Sequence, residues 1–155
     1  MDVLEVLVTS ETTGQLWSSS VWDVNSGTSL MSYKGGGVAA PRTLCFIGQD
    51  FIASVERTKP ILHIWPLNSH ERVAGLRFVL PGRPTALAFS PSGHYCVAGI
   101  EEKIYIWQTS SGSLLNILSR HYQTISNIKF TDDGSHFVSA GDDGIVLVWT
   151  LNNVI

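Results

Sequence analysis

The sequence predicts an all-β fold, a partial β-propeller of about three and a half blades, each a four-stranded antiparallel sheet. Three observations carry this. Trp22, Trp65, Trp107 and Trp149 are separated by 43, 42 and 42 residues. A fixed period of roughly 40–45 residues is the spacing of one propeller blade. The same short apolar runs, each closed by turn residues, recur in front of these tryptophans. The composition agrees: 155 residues carry 18 Ser, 11 Thr and 14 Gly, and only 15% are charged. Long helices would prefer Ala, Glu, Lys and Gln.

The first blade, about 3–34, carries Trp22-Asp23 and closes its third run at Ser26-Gly27 before a run from Ser29 to Tyr33. In the next three units a Phe ends the first run. Phe46, Phe89 and Phe130 precede their tryptophans by 19, 18 and 19 residues. Ser90-Pro91-Ser92-Gly93 and Thr131-Asp132-Asp133-Gly134 then break the chain, because Pro presets φ and Gly tolerates positive φ. Second runs at 51–55, 95–98 and 137–140 lead into Trp-bearing runs at 61–67, 103–107 and 145–151. Fourth runs follow at 73–80 and 113–118. The blades are expected at about 42–80, 85–119 and 121–151 after the first, giving 14 strands in groups of three, four, four and three. Runs that are apolar at successive positions suit sheets covered on both faces, as stacked blades are. A β-sandwich also uses short strands but has no reason to repeat a Trp at this period.

Several function classes fall away. A charged fraction of 15% lies well below the roughly 25% of an average domain, which excludes a disordered chain, a charged coiled coil or a solvated bundle. Net charge is −3 and the ten Lys and Arg are scattered, so no phosphate-tracking nucleic-acid surface is expected. Cys45 and Cys96 sit in apolar runs outside any C-x-x-C pair and read as buried free thiols. The opening Met1-Asp2-Val3-Leu4-Glu5-Val6 lacks a basic n-region, and no apolar run nears the roughly 20 residues that span a bilayer. These features fit an intracellular chain with no membrane role. Lys34-Gly35-Gly36-Gly37 has the wrong order for a phosphate loop, and the five His form no zinc spacing with each other or with Cys. Neither a metal nor a cofactor is expected.

The fourth unit resembles a WD repeat. Val138-Ser139-Ala140-Gly141-Asp142-Asp143-Gly144, followed by a run to Trp149 and preceded by His121, fits that pattern nearly residue for residue. The resemblance implies a structural hydrogen-bonded chain of Trp149, Ser139, His121 and Asp143, in which polar groups inside the sheet each find a partner. Ser, His and Asp also invite a catalytic-triad reading. No nucleophile-elbow context surrounds Ser139, and the repeat accounts for the spacing. The other units depart: Trp22-Asp23 has no matching His, Trp65 precedes Pro66, and Gly82-Arg83 stands where Gly-His is usual. They are expected to rely on apolar packing.

A narrower resemblance lies in less common segments: Ile117-Leu118-Ser119-Arg120-His121-Tyr122-Gln123, Ser135-His136-Phe137, Leu16-Trp17-Ser18-Ser19-Ser20-Val21-Trp22 and Ser32-Tyr33-Lys34-Gly35-Gly36. These are similar to the WD-repeat-containing protein 18 family, with the chain matching an amino-terminal half. The resemblance implies a non-enzymatic scaffold in the nucleus, both nucleolus and nucleoplasm, with some cytoplasmic presence, acting in large ribosomal subunit maturation and rRNA spacer processing. Implied partners are a proline-, glutamate- and leucine-rich scaffold protein, a testis-expressed helical-repeat protein and the midasin ATPase on pre-60S particles. Related adaptors in replication licensing or checkpoint signalling give an alternative, and a propeller enzyme is a second one. Arg120 and Tyr122 are the candidate partner contacts. As an RNA stacking and phosphate pair they rank below a protein contact. An incomplete ring leaves sheet faces and edges open, so the isolated chain is expected to be marginal or aggregation-prone.

Overall fold

A computed structural model of the chain describes residues 4–10, 17–71, 73 and 77–155. Met1, Asp2 and Val3 of the opening run, Leu16, and part of the 73–80 run lie outside the described residues. Strands β1 (Val6–Ser10), β2 (Trp17–Asp23) and β3 (Ser29–Lys34) form sheet 1. Sheet 2 holds β4 (Cys45–Ile47), β5 (Phe51–Val55), β6 (Ile61–Pro66) and β7 (Arg77–Val79). Sheet 3 holds β8 (Ala86–Phe89), β9 (Tyr95–Ile100), β10 (Lys103–Gln108) and β11 (Leu114–Leu118). Sheet 4 ends the chain with β12 (Ile125–Phe130), β13 (His136–Gly141) and β14 (Val146–Thr150), followed by the short α1 (Leu151–Val154). Every pairing within the sheets is antiparallel. The sheets do not close into a ring among the described residues.

Three cores lie between the four sheets, and strand alternation builds them. On β9, Cys96, Ala98 and Ile100 pack in the core shared with sheet 2, while Val97 packs in the core shared with sheet 4. On β10, Trp107 joins the first of these cores, and Ile104 and Ile106 the second. Period-two alternation sends neighbours to opposite faces. Both faces of sheet 3 are covered, which is why its strands read as continuous apolar runs. Ile52 and Trp65 of sheet 2 meet Val21 and Tyr33 of sheet 1 in the third core. The inner strands β4, β8 and β12 lie beside one another in turn, so the sheets stack about a common side.

Two turns show why the sequence needs Gly where it has it. Gly27 and Gly112 close equivalent turns after the Trp strands, both at φ +71, a conformation that only Gly adopts without strain. A Cβ on Gly112 would also lie 2.9 Å from a ring carbon of Phe78. In sheets 1 and 3 the pairing slips beside the tryptophan, between Val21 and Trp22 and between Ile106 and Trp107.

One face remains open. Lys129, Val138 and Val148 stand in register, as do Ala140 and Val146. Val146 is 64% and Val148 69% exposed. This is the side of sheet 4 that turns away from sheet 3. Cys96 is buried, but Cys45 is only half-buried. Burial pushes the Cys45 thiol up to about 12 and the Cys96 thiol well above its ordinary range. Both are therefore poor nucleophiles.

Candidate interaction surface

Sheet 4 brings His121, Ser139, Asp143 and Trp149 together. Ser139 pairs with Leu147 on β14, and Trp149, two residues on, shares its face. The Trp149 indole Nε1–H donates to Ser139 Oγ at 2.9 Å. Ser139 Oγ lies 2.7 Å from His121 Nε2. His121 Nδ1 lies 3.1 Å from Asp143 Oδ2. The Nδ1–H tautomer satisfies the whole chain: Trp149 donates to Ser139, Ser139 to His121, and His121 to Asp143. The His121 side chain is 0% and that of Asp143 5% exposed. Unpaired polar groups at this depth would be costly.

Asp143 is the hub. It accepts the Tyr122 amide at 2.8 Å and the Ile145 amide at 2.9 Å. The Tyr122 amide is the largest cause holding the Asp143 carboxyl below its ordinary value; the Ile145 amide and His121 add to this, and burial opposes it. Gly141 makes room. A Cβ there would sit 2.7 Å from both His121 Nδ1 and Asp143 Oδ1.

This network fixes the loop before β12. His121 points inward, and its neighbours are turned out. Tyr122 is 81% exposed. Arg120 is exposed and borders a cavity of about 220 Å³ with Leu147, Val148 and Trp149. A buried anchor with rigid exposed neighbours reduces the ordering cost of binding a partner. Ser139 itself is fully buried, and its hydroxyl oxygen already accepts the Trp149 N–H. Ser139 Oγ is thus engaged on both sides within the sheet, by Trp149 and by His121.

The other repeat tryptophans correct one expectation. Sheets 1 and 2 do not rely on apolar packing alone. The Trp22 indole donates to Thr9 Oγ1 at 2.9 Å. Thr9 pairs with Ser20, so it occupies the place in sheet 1 that Ser139 occupies in sheet 4. The Trp65 indole donates to the Lys34 carbonyl at 2.8 Å, tying sheet 2 to sheet 1. Buried indole N–H groups need acceptors, and sheets 1, 2 and 4 each meet this with a different one. Counting back across the hairpin from Trp22 would have found Thr9. The Lys34 carbonyl belongs to another repeat and leaves no local signal. His63 on β6, opposite Ser54 of β5, binds Glu56 at 2.7 Å, a pair that no local sequence pattern marks. In sheet 3 the matching position is Ala98, and Trp107 stacks on Tyr105 with centroids 5.7 Å apart. Among the described residues no group of three or more His, Cys, Asp or Glu is placed to hold a metal ion.

Stacked antiparallel sheets of three and four strands, with this hydrogen-bonded chain in the last of them, have the architecture of a partial WD-repeat β-propeller. The family described as WD domain, G-beta repeat matches residues 112–150. Over 86–98% of its length the chain is similar to a narrower group of proteins. It is 43% identical over 152 residues to WD repeat-containing protein 18 of Rattus norvegicus, of which it covers 35%. It is 31% identical over 147 residues to pre-rRNA-processing protein pro-1 of Caenorhabditis briggsae, covering 92% of this chain and 27% of that one. With pre-rRNA-processing protein crb3/ipi3 of Schizosaccharomyces pombe the identity is 27% over 134 residues, covering 86% of this chain and 29% of that one. The chain thus spans about a third of the length of these relatives, less than the half the sequence reading assigned.

Proposed function

We propose that this chain is a non-enzymatic protein-interaction scaffold in pre-rRNA processing and large ribosomal subunit maturation. The observation that carries the reading is its similarity, along nearly its whole length, to proteins named for pre-rRNA processing in a nematode and a fission yeast. WD-repeat proteins are in general scaffolds that present loops to partners, and the exposed Arg120–Tyr122 loop is anchored here by the buried His121 and the Tyr122 amide. We assign it the partner contact, through the Tyr122 ring and the Arg120 guanidinium. Aromatic and Arg side chains dominate protein interfaces. By family resemblance the partners are a proline-, glutamate- and leucine-rich scaffold protein, a testis-expressed helical-repeat protein and midasin on pre-60S particles, in the nucleus and nucleolus. No observation favours the replication-licensing or checkpoint reading.

Affinity capture of the tagged chain from nuclear extract, with and without ribonuclease, tests this. Recovery of pre-60S factors that survives ribonuclease supports protein docking. Loss on ribonuclease treatment assigns the contact to RNA. Recovery of chaperones alone overturns the reading for this chain.

A further inference from the structure

The end of the stack opposite the Arg120–Tyr122 loop carries a separate cavity. Antiparallel order places the turns between first and second strands at that end, with the turns after the Trp strands. The turns of sheets 2, 3 and 4 meet there: a Cβ on Gly48 would lie 3.8 Å from the Pro91 carbonyl, and one on Gly134 3.3 Å from Pro91 Cδ. Between sheets 2 and 3 they enclose about 300 Å³. Ile47, Phe51 and Ile64 give it an apolar lining, with Thr109 beside them and Asp50 and His94 bordering it. Thr109 is 8% exposed, and its hydroxyl has no hydrogen-bond partner among the described residues.

The three turns that line the cavity, 48–50, 90–94 and 109–113, and the neighbouring 131–135 turn contain Asp50, Asp132 and Asp133 and no Lys or Arg. The border is held in place by backbone bonds, Leu67 N–H to Asp50 O at 2.8 Å and Thr109 N–H to His94 O at 2.9 Å. A preformed apolar cavity with an unsatisfied hydroxyl, the Asp50 carboxylate at its border and the Asp132-Asp133 turn on the next sheet suits an apolar anchor carried by a basic backbone segment. We infer that this cavity is a docking site for a linear basic peptide of a partner protein, which inserts one Leu, Met or Phe side chain and sets flanking Lys or Arg against Asp50 and the Asp132-Asp133 turn. This goes beyond the scaffold reading and uses the opposite end of the stack.

The test is fluorescence anisotropy on the full chain with labelled nonapeptides. In one set a single Leu, Met or Phe is flanked by Lys and Arg; in the control set Glu replaces each cation. The basic set is expected to saturate, with affinity that falls as salt rises. Asp50→Lys and Ser110→Trp, which respectively reverse the charge at the border and block the opening, are each expected to weaken binding at least tenfold with an unchanged melting temperature. Thr109→Val, which keeps the shape, is expected to weaken it several-fold, and Arg120→Ala to leave it unchanged. Absence of saturation, equal binding of the two sets, or wild-type binding by Asp50→Lys overturns the proposal. So does a concentration-dependent dimer broken by Asp50→Lys, which makes a second copy the occupant.

Discussion

The Trp149 indole N–H donates to Ser139 Oγ at 2.9 Å across the β13–β14 pair, and that one contact joins the repeat tryptophan to the loop that leads into β12. Ser139 is the only bridge between Trp149 and His121 in this chain of bonds. Ser139→Ala leaves two buried polar groups without partners at once. Each orphaned group costs about 1–3 kcal/mol. Urea denaturation should show a loss of about 2–6 kcal/mol for the two groups together, and a loss below about 0.5 kcal/mol would mean the bonds are made good by water.

Gly141→Ala tests the space between His121 and Asp143 without deleting any polar group. The added methyl falls 2.7 Å from both side chains, and overpacking costs about 1–3 kcal/mol. The Tyr122 amide should also exchange faster with solvent in this variant, since the Asp143 carboxylate that accepts it is displaced.

Acid should weaken the chain through its carboxylates. Asp143 has its folded pKa lowered, first by the Tyr122 amide, and Asp133 is lowered to about 2, first by the Ser135 amide. The folded state therefore binds fewer protons than the unfolded state in this window. The stabilisation is complete above the ordinary Asp value of about 3.9 and is lost as pH falls through the lower folded values. Asp143→Asn and Asp133→Asn should each flatten part of the stability profile below about pH 4, measured by chemical denaturation at stepped pH.

Thr9→Val should weaken sheet 1 by about 0.5–1.5 kcal/mol, the net worth of an ordinary hydrogen bond, because the Trp22 indole loses its acceptor. In sheet 3 the matching position is Ala98. There the Trp107 ring stacks on Tyr105 instead, and Ala98→Ser should bring no comparable gain.

On the open face of sheet 4, Val146 and Val148 are 64% and 69% exposed. Apolar strand faces and edges of this kind invite association. Val146→Lys with Val148→Lys should lower aggregation of the isolated chain, read by light scattering, with little change in melting temperature.

Periodicity made most of this architecture readable from the sequence. Trp spacing and the Phe-then-turn pattern are local signals, and they locate strands whose faces are covered on both sides. The His121, Ser139, Asp143 and Trp149 constellation was legible because all four fall within one repeat. What was not legible depends on contacts between repeats or on hairpin length. Trp65 takes its acceptor from Lys34, 31 residues away. His63 and Glu56 read as an ordinary strand residue and an ordinary turn residue until β5 and β6 pair. The 300 Å³ cavity is made of turns from two sheets, each of which alone looks like a loop.

The most direct test of the central claim compares the wild-type chain with an Arg120→Ala, Tyr122→Ala double variant in quantitative capture from nuclear extract. Both side chains are exposed, and neither belongs to the buried network, so the melting temperature should stay within about 2 °C, the small shift expected of surface changes. Pre-60S factors recovered with the wild type should fall at least tenfold with the variant. Equal recovery from the two, at equal stability, would contradict the claim that the anchored loop is the docking surface.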